Sequence, residues 1–254
     1  MFKTSICIET VYREAPFLER IGRAARAGVD AVEFWGREDK DLPAIKERAE
    51  KEGLSLAAMA AGEELTEPGK KEENVQRLVQ AIGTAAELDC ANLIVTVGEE
   101  REGLSRKKQR ASIIDVLKAV APKAEGEGVT LVLEPLNTAV DHQGYFLSSS
   151  FEGYEIVEKV ANPNLKLLFD IYHQQITEGN IIANVTAHID LIGHFHLADV
   201  PGRGEPGTGE LNYGNIFREI ARSGYDRFVG CEFKPKGSSV QAVKAFTDLV
   251  RQAT

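Results

Sequence analysis

The sequence predicts an α/β protein, a closed (β/α)8 barrel forming a single domain over residues 1–254. Three observations carry this. Short apolar runs alternate eight times with longer stretches of helical period. No linker, low-complexity tract or change of composition interrupts them, and a chain of 254 residues suits one such barrel. Several helix-to-strand junctions also repeat one cue: Ala27-Gly28-Val29-Asp30, Glu52-Gly53-Leu54-Ser55, Glu127-Gly128-Val129-Thr130 and Ser223-Gly224-Tyr225-Asp226. In each, a glycine just after a helix can take the left-handed C-cap before the next strand begins. An open doubly wound sheet shares the alternation, because periodicity alone does not show closure.

The predicted strands are 5–8, 31–34, 55–59, 92–97, 130–133, 165–169, 191–195 and 228–231. Each is short and mainly apolar, as a strand buried on both faces must be. The helical stretches lie near 16–27, 41–52, 71–89, 105–127, 150–160, 174–188, 213–223 and 237–252. Turns leading into strands are tight. The connections after strands 5 and 7, residues 135–147 and 198–213, are long and rich in Gly, Pro and polar residues. In a barrel they lie on the C-terminal face, where catalytic groups gather.

Composition narrows the function classes. Apolar content of 43% and charged content of 27% are those of an ordinary globular protein. A net charge of −9 lacks the basic footprint of a nucleic-acid binder and disfavours anionic membrane surfaces. It leaves small anionic substrates open. Cys7, Cys90 and Cys231 lie in or beside apolar runs, so buried reduced thiols are expected rather than disulfides or a zinc site. The N-terminus has no adequate signal-peptide h-region and no apolar stretch approaches transmembrane length. The expected compartment is a reducing cytoplasm, with no membrane or nucleic-acid partner.

The chemistry sits at strand ends. Glu134, Asp170, His196 and Glu232 close the apolar runs of strands 5, 6, 7 and 8. Any one of them alone reads equally well as a solvated strand-end charge. On four neighbouring parallel strands they converge, and three carboxylates with an imidazole repel one another unless a cation sits between them. An oxygen-rich set with one imidazole nitrogen suits Mg²⁺, Mn²⁺ or Co²⁺ better than a structural zinc.

His173, three residues beyond Asp170, could reach a substrate hydroxyl, although a loop histidine is more often merely solvated. Strand alternation puts His194 on the face of His196, one layer deeper, as a hydrogen-bonded supporting group. Arg203 could hold a substrate carboxylate bidentately, or be neutralised locally by Glu205. Gly202, Gly204 and Gly207 satisfy a G-x-G-x-x-G spacing, but no helix opens directly behind it and no dinucleotide-binding unit surrounds it. Glu33 could support the rim or pair with Arg37. Trp35, the one tryptophan, reads either as a pocket wall or as a subunit contact. No nucleophile elbow, Cys-x-x-Cys or Walker A sequence is present, and no organic cofactor is expected.

Leu133-Glu134-Pro135-Leu136-Asn137, Phe169-Asp170-Ile171-Tyr172-His173, the stretch from Gly193 through Arg203, that from Glu205 through Tyr213, and Gly230-Cys231-Glu232 resemble the xylose isomerase-like TIM barrels. The hydroxypyruvate isomerase family is the nearest in pattern. The specific match covers residues 131–236; the first half shares only the barrel rhythm. The resemblance implies Glu134 and Glu232 as an acid/base pair, Glu134, Asp170, His196 and Glu232 as ligands of a divalent metal, and His173 and Arg203 as substrate contacts. One departure is His196, where some hydroxypyruvate isomerases carry Gln and ketose 3-epimerases of the same superfamily carry His. In those epimerases the arginine follows one residue sooner.

The reaction expected is cofactor-free aldose–ketose isomerisation of a keto acid or keto sugar, for example hydroxypyruvate to tartronate semialdehyde. Ketose 3-epimerisation by the same two glutamates is the alternative. A metal-stabilised sugar-acid binding protein, or an inactive partner subunit, is the non-catalytic one. A multi-zinc nuclease acting at abasic DNA needs more histidines than the five here and a basic groove. A homo-oligomer is compatible with the sequence.

Overall fold

A computed structural model describes residues 1–62 and 64–253. The eight apolar runs pair edge to edge, all parallel and in chain order: β1 (Lys3–Cys7), β2 (Ala31–Phe34), β3 (Ser55–Ala60), β4 (Asn92–Val95), β5 (Thr130–Leu133), β6 (Leu165–Asp170), β7 (Ile192–Leu197) and β8 (Phe228–Cys231). β1 returns to β8, in register from Lys3 opposite Phe228 to Ile6 opposite Cys231, and closes the barrel. The open-sheet alternative is thereby removed. Around it lie α1 (Phe17–Arg26), α2 (Leu42–Lys51), α3 (Lys71–Glu87), α4 (Arg106–Glu127), α5 (Ser150–Val160), α6 (Ile171–Thr177), α7 (Ile181–His188), α8 (Tyr213–Arg222) and α9 (Ser239–Ala253). Among the described residues no helix is long and apolar enough to cross a membrane.

Strand alternation builds two cores. Outward side chains such as Leu131 and Leu133 pack under the helices, whereas Ala58, Ile94, Val132 and Leu168 form a small apolar plug of their own. The opposite wall is made of small residues: Ser5 lies between Ala31 and Gly230 in the ladder. That wall leaves room for a side chain of another kind, the carboxylate of Glu33.

The four glycine junctions form as expected, with Gly28, Gly53, Gly128 and Gly224 at φ of +75°, +72°, +71° and +79°. The three cysteines are free and buried. Several boundaries shift. β7 runs on to Leu197, so His196 lies inside its strand rather than just past it. The single helix expected over 174–188 is two, α6 and α7, broken where Gly179 and Asn180 both turn left-handed. α6 also starts earlier, because the Asp170 carboxylate caps it by accepting from Tyr172 N at 2.8 Å and His173 N at 3.4 Å.

Candidate active site

The C-terminal ends of β5 to β8 bring one ligand atom each from Glu134, Asp170, His196 and Glu232 to within 4.8 Å of one another, all four side chains being buried. The ladder itself sets this spacing. Asp170 is opposite His196, and His196 is opposite Gly230 two residues before Glu232. Glu134 and Glu232 extend the pairing past their strands, donating backbone N–H to Val95 O and Leu197 O. The four residues expected to converge therefore do so.

Their electrostatics call for a positive charge at the centre. His196 Nδ1 is buried without a hydrogen-bond partner, 3.5 Å from Glu134 Oε1 and 3.5 Å from Glu232 Oε2. Burial works against a charged imidazole, yet the anionic Glu232 and Glu33 raise its pKa well above the ordinary value. Glu232 is pulled well below the usual carboxylate range: burial opposes ionisation, but the charges of His196 and Arg203 outweigh it. Asp170 moves the other way, raised by burial despite Arg203 nearby. An unpartnered ring nitrogen ringed by carboxylates is a donor set that fits a divalent cation, with hard oxygen ligands predominating.

Glu33 supports the group from below, a role the sequence reading only half saw. Its carboxylate lies between two histidines: Oε2 is hydrogen-bonded with His194 Nε2 at 2.9 Å, and Oε1 stands 2.9 Å from His196 Nε2 as a close ionic contact. Arg37 instead lies near Glu38 and donates to Ala61 O. Burial would raise the Glu33 pKa, but the charges of His196 and His194 bring it down to about 2. Only glycine fits at 230 beside it, since a Cβ there would stand 2.4 Å from Glu33 Oε1. His194 is the deeper supporting group that alternation predicted.

His173 is not a solvated loop residue. It sits fully buried on the first turn of α6. Its Nδ1 accepts from the backbone N–H of Asn137 at 3.2 Å and lies 2.7 Å from Asn137 Nδ2. A backbone N–H can only donate, so Nδ1 is the acceptor and the neutral ring carries its proton on Nε2. That nitrogen is buried with no hydrogen-bond partner, 3.5 Å from Asp170 Oδ2. Burial and then the Arg203 charge lower the pKa of His173 to about 4, so the ring is a neutral donor near pH 7.

Arg203 does not turn to Glu205, whose carboxylate accepts from Lys236 N at 2.9 Å. Its Nη2 instead pairs with Glu232 and lies 3.5 Å from Asp170 Oδ2, and its guanidinium carbon stands 5.1 Å from the Tyr172 ring centroid. Those anions hold it charged although it is mostly buried. The glycine-rich loop that carries it is braced by Asp199, which accepts from Val200 N, Gly207 N, Gly209 N and Leu211 N at 2.9–3.1 Å. The G-x-G-x-x-G spacing is thus a loop wrapped on a carboxylate. The strand-end pattern does not single out Asn137, which holds His173, or Asp199, which holds the loop; each is a polar residue three places past Glu134 or His196, and that spacing is the available signal.

Comparison with known proteins places the chain in a family. The family model described as "Xylose isomerase-like TIM barrel" matches residues 21–249. Hydroxypyruvate isomerase of Escherichia coli (strain K12) is 34% identical over 93% of this chain and 95% of its own length. 2-Oxo-tetronate isomerase of Cupriavidus necator is 34% identical over 91% of this chain and 92% of its own. Among solved structures, one described as an AP endonuclease, family 2, from Brucella melitensis superposes with a TM-score of 0.91 at 32% identity, covering 98% of this chain and 99% of that one.

Proposed function

The chain is an isomerase of the xylose isomerase-like TIM barrel family, on its hydroxypyruvate isomerase branch, and from that membership we propose that it interconverts hydroxypyruvate and tartronate semialdehyde or a related short sugar acid. The observation that carries the proposal is the pair of buried carboxylates, Glu134 and Glu232, on either side of the unpartnered His196 Nδ1.

Glu134, Asp170, His196 and Glu232 would hold a divalent cation, Mg²⁺ or Mn²⁺ with Co²⁺ also suited, and such an ion supplies polarisation of the substrate carbonyl. One glutamate acts as general base and removes a proton from C3 of hydroxypyruvate, leaving an enediolate. A proton returned to C2, by the same or the other glutamate, together with passage of the hydroxyl proton from O3 to O2, completes the aldehyde. Because Glu232 is held anionic, its basicity comes from placement against the C–H bond rather than from a raised pKa. His173 offers its Nε2–H to a substrate oxygen as a neutral donor, and Arg203 provides the cationic edge for a carboxylate.

A second reading, ketose 3-epimerisation, is favoured by the imidazole at position 196 and returns the proton to the carbon it left. Endonuclease activity, the description given to the Brucella structure, fits poorly with a net charge of −9, since polyanionic backbones need a basic groove. Proton NMR in D₂O with Mn²⁺-pretreated, Mg²⁺-exchanged protein tests the choice. Deuterium at C3 of hydroxypyruvate with tartronate semialdehyde appearing is the expected result. Deuterium at C3 of fructose or ribulose moves the assignment to epimerase, and no exchange in any substrate overturns both.

A further inference from the structure

Trp35 is the one tryptophan of the chain, and it is 43% exposed, unusual for so large an apolar side chain. It stands just past β2, two strands around the closed barrel from β8. Its indole Nε1 nevertheless donates to Glu232 Oε1 at 2.8 Å. The other oxygen of the same carboxylate, Oε2, is taken by Arg203 and faces His196. The tryptophan is itself anchored: its backbone N–H reaches Glu9 Oε1 at 3.4 Å, and Glu9 is held by Lys40 at 2.9 Å.

We propose that Trp35 is a positioning residue for Glu232: its indole N–H fixes the rotation of that carboxylate, so that Oε2 stays turned toward the ligand group and the reacting carbon. This rests on the isomerase reading given above. The chemistry of the donor matters. An indole N–H has no lone pair to offer and no proton to give up in this pH range, so it orients a base without competing for the proton that the base collects. A lysine or histidine in its place would exchange protons with Glu232. A freely rotating carboxylate would present either oxygen to the site, and small misplacements of a reacting group are costly in rate.

Because the chain has one tryptophan, this N–H can be deleted without touching any other residue. Protein made in a tryptophan auxotroph with 3-benzothienylalanine carries sulfur in place of the N–H in a ring of nearly the same shape, and 4-fluorotryptophan protein keeps the donor. The expected result with Mn²⁺ and hydroxypyruvate is kcat lowered roughly 10- to 100-fold in the benzothienyl protein, the loss of one hydrogen bond to a charged group. KM should stay within about twofold if the interaction is one of orientation rather than substrate binding, and the fluorotryptophan protein should recover most of the rate. Equal kcat in the two substituted proteins overturns the proposal. A second readout needs no turnover: the single indole ¹H–¹⁵N signal should shift upfield in Glu232→Gln, and a signal indifferent to that change also overturns it. A wild-type protein with no proton exchange would instead remove the isomerase reading and the positioning role with it, while the indole signal would still report whether the contact exists.

Discussion

The two halves of the barrel do unequal work. β5 to β8 supply all four converging side chains of the candidate site, and the loops behind them are tied down from within, Asn137 on His173 and Asp199 on four backbone N–H groups. β1 to β4 supply no member of that group. Their inner wall is narrow, Ser5 and Ala31 beside Gly230, and it admits one acid, Glu33, a layer below. Their rim carries surface pairs such as Arg37 with Glu38. The lesson is one of geometry: adjacent strand ends can share an ion, whereas strands across the barrel act by bracing what the others present.

The sharpest way to break this contrast is to remove one carboxylate from each half. Glu134→Gln or Glu232→Gln should lower substrate proton exchange with solvent by about 10²- to 10⁴-fold, the range typical of a lost general base, with circular dichroism unchanged. Turnover retained in both variants would remove the two-glutamate mechanism. Glu33→Ala leaves two buried histidines facing an uncompensated space. It should destabilise the fold by about 3–5 kcal/mol, the usual result of removing one partner from a buried charged pair, and weaken Mn²⁺ binding roughly 10- to 100-fold. Denaturant melts and a Mn²⁺ titration check the two parts separately.

Metal addition gives a middle-sized effect. At about 100 times its Kd, Mn²⁺ should stabilise the protein by roughly 2.7 kcal/mol. For a chain of this length that separates the chelated and loaded melts by roughly 5–10 °C. Superimposable melts would count against the four-residue site. The smallest effect belongs to the first-half rim, where Glu38→Ala should change stability by no more than about 0.5 kcal/mol, because the Glu38 side chain is exposed and its contact with Arg37 is 3.6 Å long. A larger loss there would mean that this rim is more than a scaffold.

The same division explains what could be read in the chain. The ends of β5, β6, β7 and β8 were legible because an acid or imidazole closing a short apolar run has no place to go but the sheet's edge, and strand parity then sets its neighbours. Glu33 was harder. Parity puts it on the inner face with Ala31, but an acid inside a four-residue strand makes sense only once His194 and His196 are known to lie opposite, some 160 residues away. Arg203 left two readings open for the same reason: the sequence offers Glu205 as a partner two residues off, while the fold offers Glu232 and Asp170. The break between α6 and α7 is written locally in Gly179-Asn180, a pair suited to left-handed backbone, but the apolar periodicity running through it masked the signal.

Asp170 divides two tasks between its two oxygens. Oδ1 starts the helix that carries His173, and Oδ2 faces Arg203, His173 and the ligand group. A survey of substitutions scored by expression or survival would file Asp170 under folding, and one scored by turnover would file it under chemistry; both would be reading one carboxylate. Asn is the replacement that separates the two, since its amide oxygen can go on capping α6 while the charge toward the site is gone. The helix start and the candidate site meet in a single group.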